Sequence, residues 1–551
     1  MVSEANVARG SRVRISTAPH LKWNIKLMDK APRYVIYSIY SNNVGFLCED
    51  LTVNQSGKFV EKSNRGNLVS LSQCIFSDHL TPTLAYRCLV KENDHEAPSF
   101  LIESVEPGLH AGTVGRYSIV GANPAMEIIA KEHIVTVINH QEGWRTEEFS
   151  DDPMVIPRTI TEDWSPQFID ELPQVFCGGW FGYFSYDTVR YTEKRLPFSG
   201  APADDRNLPD VHLGLFDDVL VFDHVEKKIH AIHWVQLDKF SSIDEALDKG
   251  MIRLNALLSK IHDIVNPRLS SGSIEPHAQK LHCKLEVSSV RSEAYKTAVV
   301  KAKEHMLAGD ALQVVLSQRF ERRTFSDPFE VYRALSIVDP NPFMAYIQVR
   351  GAIFVASSPE ILTYVDKKGI VTNQTLSRNE KQCWNIEENA LLCKRVTNGK
   401  KPDAKDMQLT DWLNHYVEKG ANSYSICWDA LQDALSLEIL TRAPKIESMQ
   451  LIDKLEQQRR GPYGGSFSCI SFTKDMDIAL APNTLVFPTG KSYDTLFSYK
   501  HLDIRKEWVA HIQTGASITA DSDSEDKQRQ CEREAATLAR AIDMAESSFL
   551  H

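Results

Sequence analysis

Two hydrophobic periods share the 551-residue chain, one near 2 residues and one near 3.6. Residues 58–71 read as a helix, and 211–237 as a strand pair. Its β-rich runs, 219–222 and 229–235, are separated by His224, Glu226, Lys227 and Lys228. Ser242 with Glu245 three residues on is a capping box that opens a helix to about Ile261. After a Pro/Ser/Gly-rich stretch at 266–276, Tyr295, Val299, Ala302 and Met306 form one helical stripe that stops at Gly309. Asp327-Pro328 reads as N-cap and first residue of the next helix, which Pro340 stops. Strand-like runs follow at 343–349 and 352–356, then a hairpin of 361–365 and 370–371 turned at 366–369. Cys531, Ala535, Leu538, Ile542, Ala545 and Phe549 line one face of a long final helix. Residues 372–442 differ, because Asn373, Ser377, Asn379, Asn389, Asn398, Gly399, Asn422 and Ser423 break every sustained period. The pattern predicts two mixed α/β halves divided near residue 270.

Composition narrows the class. The chain is 42% hydrophobic and 25% charged, values of an ordinary folded protein with ample core. Its net charge of −11 argues against broad nucleic-acid binding, which phosphate neutralisation drives. Ten cysteines without a Cys-x-x-Cys pair argue against structural zinc and read as small core residues of a reducing compartment. No apolar run reaches the roughly 18 residues of a membrane span; the longest, 175–186, is broken by Gly178, Gly179 and Gly182. The first 28 residues hold Arg9, Arg12, Arg14, Lys22 and Lys26 against the single acid Glu4. An organellar transit segment and an irregular basic N-terminus both fit that imbalance.

Few clusters suggest chemistry. His230 and His233, three apart on a strand, point to opposite faces and read as structural. Arg319, Arg322 and Arg323 read as a solvated face. In Ser357-Ser358-Pro359-Glu360 a Pro-fixed turn would hold a carboxylate at a strand end, although residue type alone favours an exposed loop acid. The glycines of Gly461-Pro462-Tyr463-Gly464-Gly465 and of Gly515-Ala516 would let backbone N–H groups approach an anion, or simply make turns.

Several long motifs are distinctive: CIFSDHLTPTLAYRCLVKE at 74–92, SFLIESVEPG at 99–108, GGWFGYFSYDTVRY at 178–191 and GDALQVVLSQRFERR at 309–323. With 327–335, 356–362, 459–465 and 520–523, they make the chain resemble the large (α) subunits, component I, of anthranilate synthase, a chorismate-utilising family, in its plant plastid form. The likeness spans roughly 58–370 and 443–550. It implies an α+β fold of antiparallel sheets flanked by helices in two intimately packed halves. The implied divisions are an extension at 1–57, a tryptophan-site half at 58–265, a linker at 266–285, and a chorismate-binding half at 286–551 with an atypical 372–442. The implied reaction turns chorismate and ammonia into anthranilate and pyruvate, the first step of tryptophan biosynthesis. It uses Mg²⁺, takes ammonia from a glutaminase (β) subunit, is inhibited by tryptophan and takes place in the plastid stroma. By the same resemblance Glu360 is the catalytic acid near the departing hydroxyl, and Tyr463, Gly515 and Ala516 contact chorismate. Ser104, Pro342, Phe343 and Met344 contact tryptophan, Phe343 standing where the family has Tyr.

The chain also departs from the family pattern. Thr372 to Leu376 do not carry the Pro-Ile/Leu-Ala-Gly-Thr motif, and a metal-binding Glu is replaced by Asn385. A Thr falls at Ile439, the chorismate-binding Arg at Asn483, a loop Gly at Ser517, and the two Mg²⁺-site glutamates at Lys527 and Gln530. One lost charge-assisted contact costs about 1.5–3 kcal/mol, so these changes together predict an impaired enzyme. The alternatives are a non-catalytic relative that still binds tryptophan or the glutaminase subunit, and an active enzyme whose 372–442 is misassembled at the gene level.

Overall fold

The alternating runs of the sequence fold into two large sheets. The computed structural model describes residues 49–92, 94–105, 115–262, 269, 272, 287–288, 292–311, 313–341, 343–358, 361–367, 371–373, 423–437, 445–490 and 507–549. Two compact units divide the chain, Met1–Glu61 and Lys62–His551. The first is described only within helix α1 (Glu49–Ser63).

In the second unit, one sheet has 12 strands. Its order is β12 (Val287–Ser288), β13 (Val314–Thr324), β21 (Trp508–Ile518), β20 (Asn483–Pro488), β15 (Ala352–Ser358), β14 (Phe343–Val349), β2 (Ser99–Val105), β3 (Tyr117–Ala122), β10 (Asp218–Asp223), β11 (Lys228–Gln236), β1 (Leu68–Phe76) and β7 (Pro166–Phe168). The other has nine: β17 (Val371–Asn373), β16 (Ile361–Val365), β19 (Met476–Leu480), β18 (Ser466–Ser471), β8 (Gly179–Phe184), β9 (Val211–Phe216), β4 (Met126–Lys131), β5 (Ile134–Asn139) and β6 (Trp144–Phe149). Every pairing is antiparallel except β1 with β7. Each sheet draws strands from both sides of residues 266–285 and joins them at its centre, through β2–β14 and β8–β18.

The core lies between the sheets. Phe100 of β2 meets Phe181 of β8 with ring centroids 4.0 Å apart, and Tyr183 of β8 meets Phe354 of β15 at 4.7 Å. Strands covered on both faces, such as β8, β14 and β15, are buried at every position, which is why their sequences are near-continuous apolar runs. A Cβ at Gly182 would lie 2.0 Å from the His212 carbonyl oxygen, so only glycine admits β9 at that distance.

Helix ends follow their caps. In α5 (Ile243–His262) the Ser242 hydroxyl accepts from the Glu245 N–H at 3.2 Å, while the Glu245 carboxylate takes the N–H and hydroxyl of Ser241. The stripe Tyr295, Val299, Ala302 and Met306 is buried in α6 (Ser292–Ala308), and Gly309 closes it at φ 91°. Asp327 caps α7 (Pro328–Val338), its carboxylate accepting the Phe329 N–H at 2.9 Å and Arg87 Nη2 at 3.0 Å. The final helix, Ser524–Phe549, buries Cys531, Ala535, Leu538, Ile542 and Ala545 against α7 and β21.

Three readings are corrected. Residues 58–63 are helical, but 68–71 open β1, whose Leu68 and Val69 are buried on opposite faces of the strand. Arg319 and Arg322 are not a solvated face: β13 lies between two strands, Arg319 is buried and pairs with Asp205 at 3.1 Å, and Arg322 pairs with the buried Asp543 at 2.7 Å; of the three arginines only Arg323 is exposed. Ser423 starts a helix rather than breaking one (Ser423–Leu437), because Tyr424, Cys427, Trp428, Leu431 and Ala434 supply a buried stripe. Residues 374–422, 438–444 and most of 266–276 lie outside the described residues. His233 is buried with its Nδ1 2.7 Å from Asp218, the structural role expected of it. Among the described residues no helix is long and apolar enough to cross a membrane.

Candidate functional site

Strands β13 and β21 set the floor of the site, with Ser317 opposite Gly515 and Leu316 opposite Ala516. Helices α8 (Ser423–Leu437) and α9 (Lys445–Leu455) precede a loop that delivers Glu456, Arg460 and Tyr463 onto that floor. Arg460 grips Glu456 side-on, Nε to Oε2 at 2.7 Å and Nη2 to Oε1 at 2.6 Å, and Nη2 also donates to the Val315 carbonyl at 2.6 Å. Glu456 Oε1 accepts the Ser317 N–H at 2.7 Å and its hydroxyl at 3.0 Å. The guanidinium lies 4.7 Å from the Tyr186 ring centroid and 5.8 Å from that of Tyr463. Gly461 at φ 63° and Gly464 at φ 78° give the loop the left-handed turns it needs around Tyr463.

Tyr463 and Gly515 meet here. A Cβ at Gly515 would stand 2.4 Å from the Tyr463 hydroxyl and 3.0 Å from the Leu316 carbonyl oxygen. Burial pushes the Tyr463 phenol well above its usual range, so it stays a neutral hydrogen-bonding group. Arg460 Nη1 is buried and meets no acceptor among the described residues. The arrangement thus offers a neutral hydroxyl and a spare guanidinium donor, groups of the kind that hold an anion. Ala516 points to the other face, into the core with Tyr295 and Cys531.

A second predicted pair also comes together. Glu103 pairs with Ser118 and Val105 with Tyr117, so Ser104 is the extra residue of a bulge in β2. The neighbouring strand is β14, where Met344 lies opposite Glu103 and both Phe343 and Met344 are buried. Pro342 and Glu360 lie outside the described residues, as do Asn385 and Ile439. β15, which leads to Glu360, ends at Ser358 opposite Phe343, and Asn483 opens β20 opposite Ser357.

Lys527 and Gln530 lie within the final helix, which we number α10 (Ser524–Phe549), one turn apart and half-buried. The Gln530 amide donates to Glu534 at 3.1 Å, and the Gln528 amide to Glu532 at 2.8 Å. Among the described residues no three His, Cys, Asp or Glu side chains stand together as metal ligands. The donor set here, an amine and an amide, does not fit the hard oxygen shell of Mg²⁺. Ser517 accepts the Gln313 amide. Glu456 and Arg460 escaped the reading of the sequence, although their i,i+4 spacing with Glu first is the legible signal of such a pair.

Comparison with known proteins gives the family and the fold. The family described as chorismate binding enzyme matches residues 109–377 and 421–540. "Anthranilate synthase alpha subunit 2, chloroplastic" of Arabidopsis thaliana is 54% identical, the match covering 91% of this chain and 86% of that one. "Anthranilate synthase alpha subunit 1, chloroplastic" of Oryza sativa subsp. indica is 52% identical over 90% and 91%. The crystal structure of anthranilate synthase component I from Streptococcus pneumoniae TIGR4 superposes with a TM-score of 0.54 at 22% identity, covering 85% of this chain and 99% of that one, a likeness of fold. The chain belongs to the anthranilate synthase α-subunit family of chorismate-binding enzymes.

Proposed function

We propose that this protein binds chorismate in a plastid, at the Tyr463–Gly515 site, and that its conversion of chorismate and ammonia to anthranilate and pyruvate is impaired. The observation that carries the reading is the seating of the Tyr463 hydroxyl against Gly515, which keeps the binding floor built. The impairment rests on Asn483, Lys527 and Gln530, which put two amides and an amine where the family pattern has charged groups. Like charges about 4 Å apart repel by roughly 4 kcal/mol at an effective dielectric of 20, so Lys527 opposes a divalent cation instead of holding it. Ser104 beside Phe343 and Met344 supports retention of tryptophan binding, with a glutaminase subunit as the ammonia source of the intact reaction. Glu360 remains the acid of choice for the departing hydroxyl.

The test is anthranilate fluorescence with chorismate, ammonium and Mg²⁺, run beside the Arabidopsis relative. Turnover at least a hundredfold below that relative is expected, and turnover within tenfold would overturn the impairment. The triple substitution N483R, K527E and Q530E is expected to raise the rate.

A further inference from the structure

The ends of β2 and β14 opposite Ser104 and Phe343 open on a cavity of about 410 Å³. At about 3.3 Å per strand residue, it lies roughly 20 Å from that pair. Arg350, Arg253, His140, Gln141 and Asn123 supply its polar lining, and Pro98 and Pro124 part of its apolar wall.

Both arginines are braced from behind. Arg350 donates through Nε at 2.9 Å and Nη2 at 2.7 Å to Glu127, a carboxylate with no exposed surface. Glu127 also takes His140 Nε2 and, at 3.1 Å, His212 Nε2. Against the cost of burial, His212 and Arg350 hold that carboxyl well below its usual range, so it stays ionised. Arg253 donates through Nε at 2.7 Å to Asp218, which His233 holds at 2.7 Å on its other oxygen. The Gln141 amide is fixed at both ends, donating to Asp217 at 2.6 Å and accepting from Lys239 at 2.6 Å. Of the acids near Arg350, Asp94 is turned to the Ala97 N–H at 3.1 Å, and Glu96 is exposed.

A salt bridge made only to lock a corner would use up its guanidinium. Here Nη1 of Arg350 and both Nη groups of Arg253 meet no acceptor among the described residues, and the two side chains are 37% and 52% exposed. Planar forks braced in this way match a carboxylate, and the proline wall matches an apolar body behind it. We propose that this cavity binds a small organic carboxylate, independently of the chorismate site.

Calorimetric titration of the full chain with benzoate, and separately with inorganic phosphate, tests it. Benzoate is expected to bind, with phosphate at least tenfold weaker because it makes no use of the apolar wall. Arg253→Gln, at a half-exposed residue, is expected to weaken benzoate at least tenfold while the chain stays folded by circular dichroism, because His233 still holds Asp218. Gly515→Val, at the other site, is expected to leave benzoate binding in place. No heat with benzoate up to about 10 mM, equal affinity for phosphate, or unchanged binding in Arg253→Gln would each overturn the proposal. Arg350→Gln adds a second reading, since it leaves Glu127 buried and short of a partner: binding lost with the fold intact supports the site.

Discussion

The Cβ that Gly515 lacks would occupy the space of the Tyr463 hydroxyl, 2.4 Å away. Gly515→Val is therefore expected to push the phenol off the floor of the site. Overpacking of this kind costs about 1–3 kcal/mol of stability, and chorismate affinity should fall at least tenfold by calorimetry. In a Gly515→Ala background, Tyr463→Phe removes the obstructing oxygen, so the two changes together should destabilise less than their sum. Tyr463 and Gly515 were legible from sequence as glycine-flanked positions, but not their contact. That contact depends on β13 and β21 pairing Ser317 with Gly515, a register no local pattern announces. The buried arginines were misread for a related reason: Arg319 looks solvated until Asp205, 114 residues earlier, arrives to pair with it.

Among the elements, those with their own end signals were read best. The caps at Ser242 and Asp327 place α5 and α7, and Gly309 closes α6. Strand β1 was missed because only a four-residue turn, 64–67, separates its Leu68-Val69 start from the helix and its burial comes from β11, far along the chain. Asp327 does more than cap: it joins α7 to Arg87 of α2 (Pro82–Leu89), which stacks on Phe329 at 4.2 Å. Losing the cap costs about 1 kcal/mol, and leaving Arg87 short of a partner about 1–3 kcal/mol more. Asp327→Ala is thus expected to lower the urea midpoint and to speed amide exchange across 328–338. Asp327→Asn, which keeps the capping oxygen, should recover the first part of the loss and not the second.

At the scale of the whole molecule, both sheets among the described residues are built from both halves. Cutting the chain at a protease site engineered into 266–285 is expected to give two fragments that still elute together from a sizing column without denaturant. Their union runs through β2–β14 and β8–β18. Separate elution would show those seams to be weak. The same weave shapes synthesis. When residue 265 has left the ribosome, β2 still waits for β14, which ends at Val349, and β8 for β18, which ends at Ser471, about 200 residues later. At about 5–20 residues per second, that interval lasts roughly 10–40 s. The edge of β2 is open until β14 emerges and that of β8 to the end of the interval, both templates for aggregation, so newborn copies should depend on chaperones far more than finished ones do.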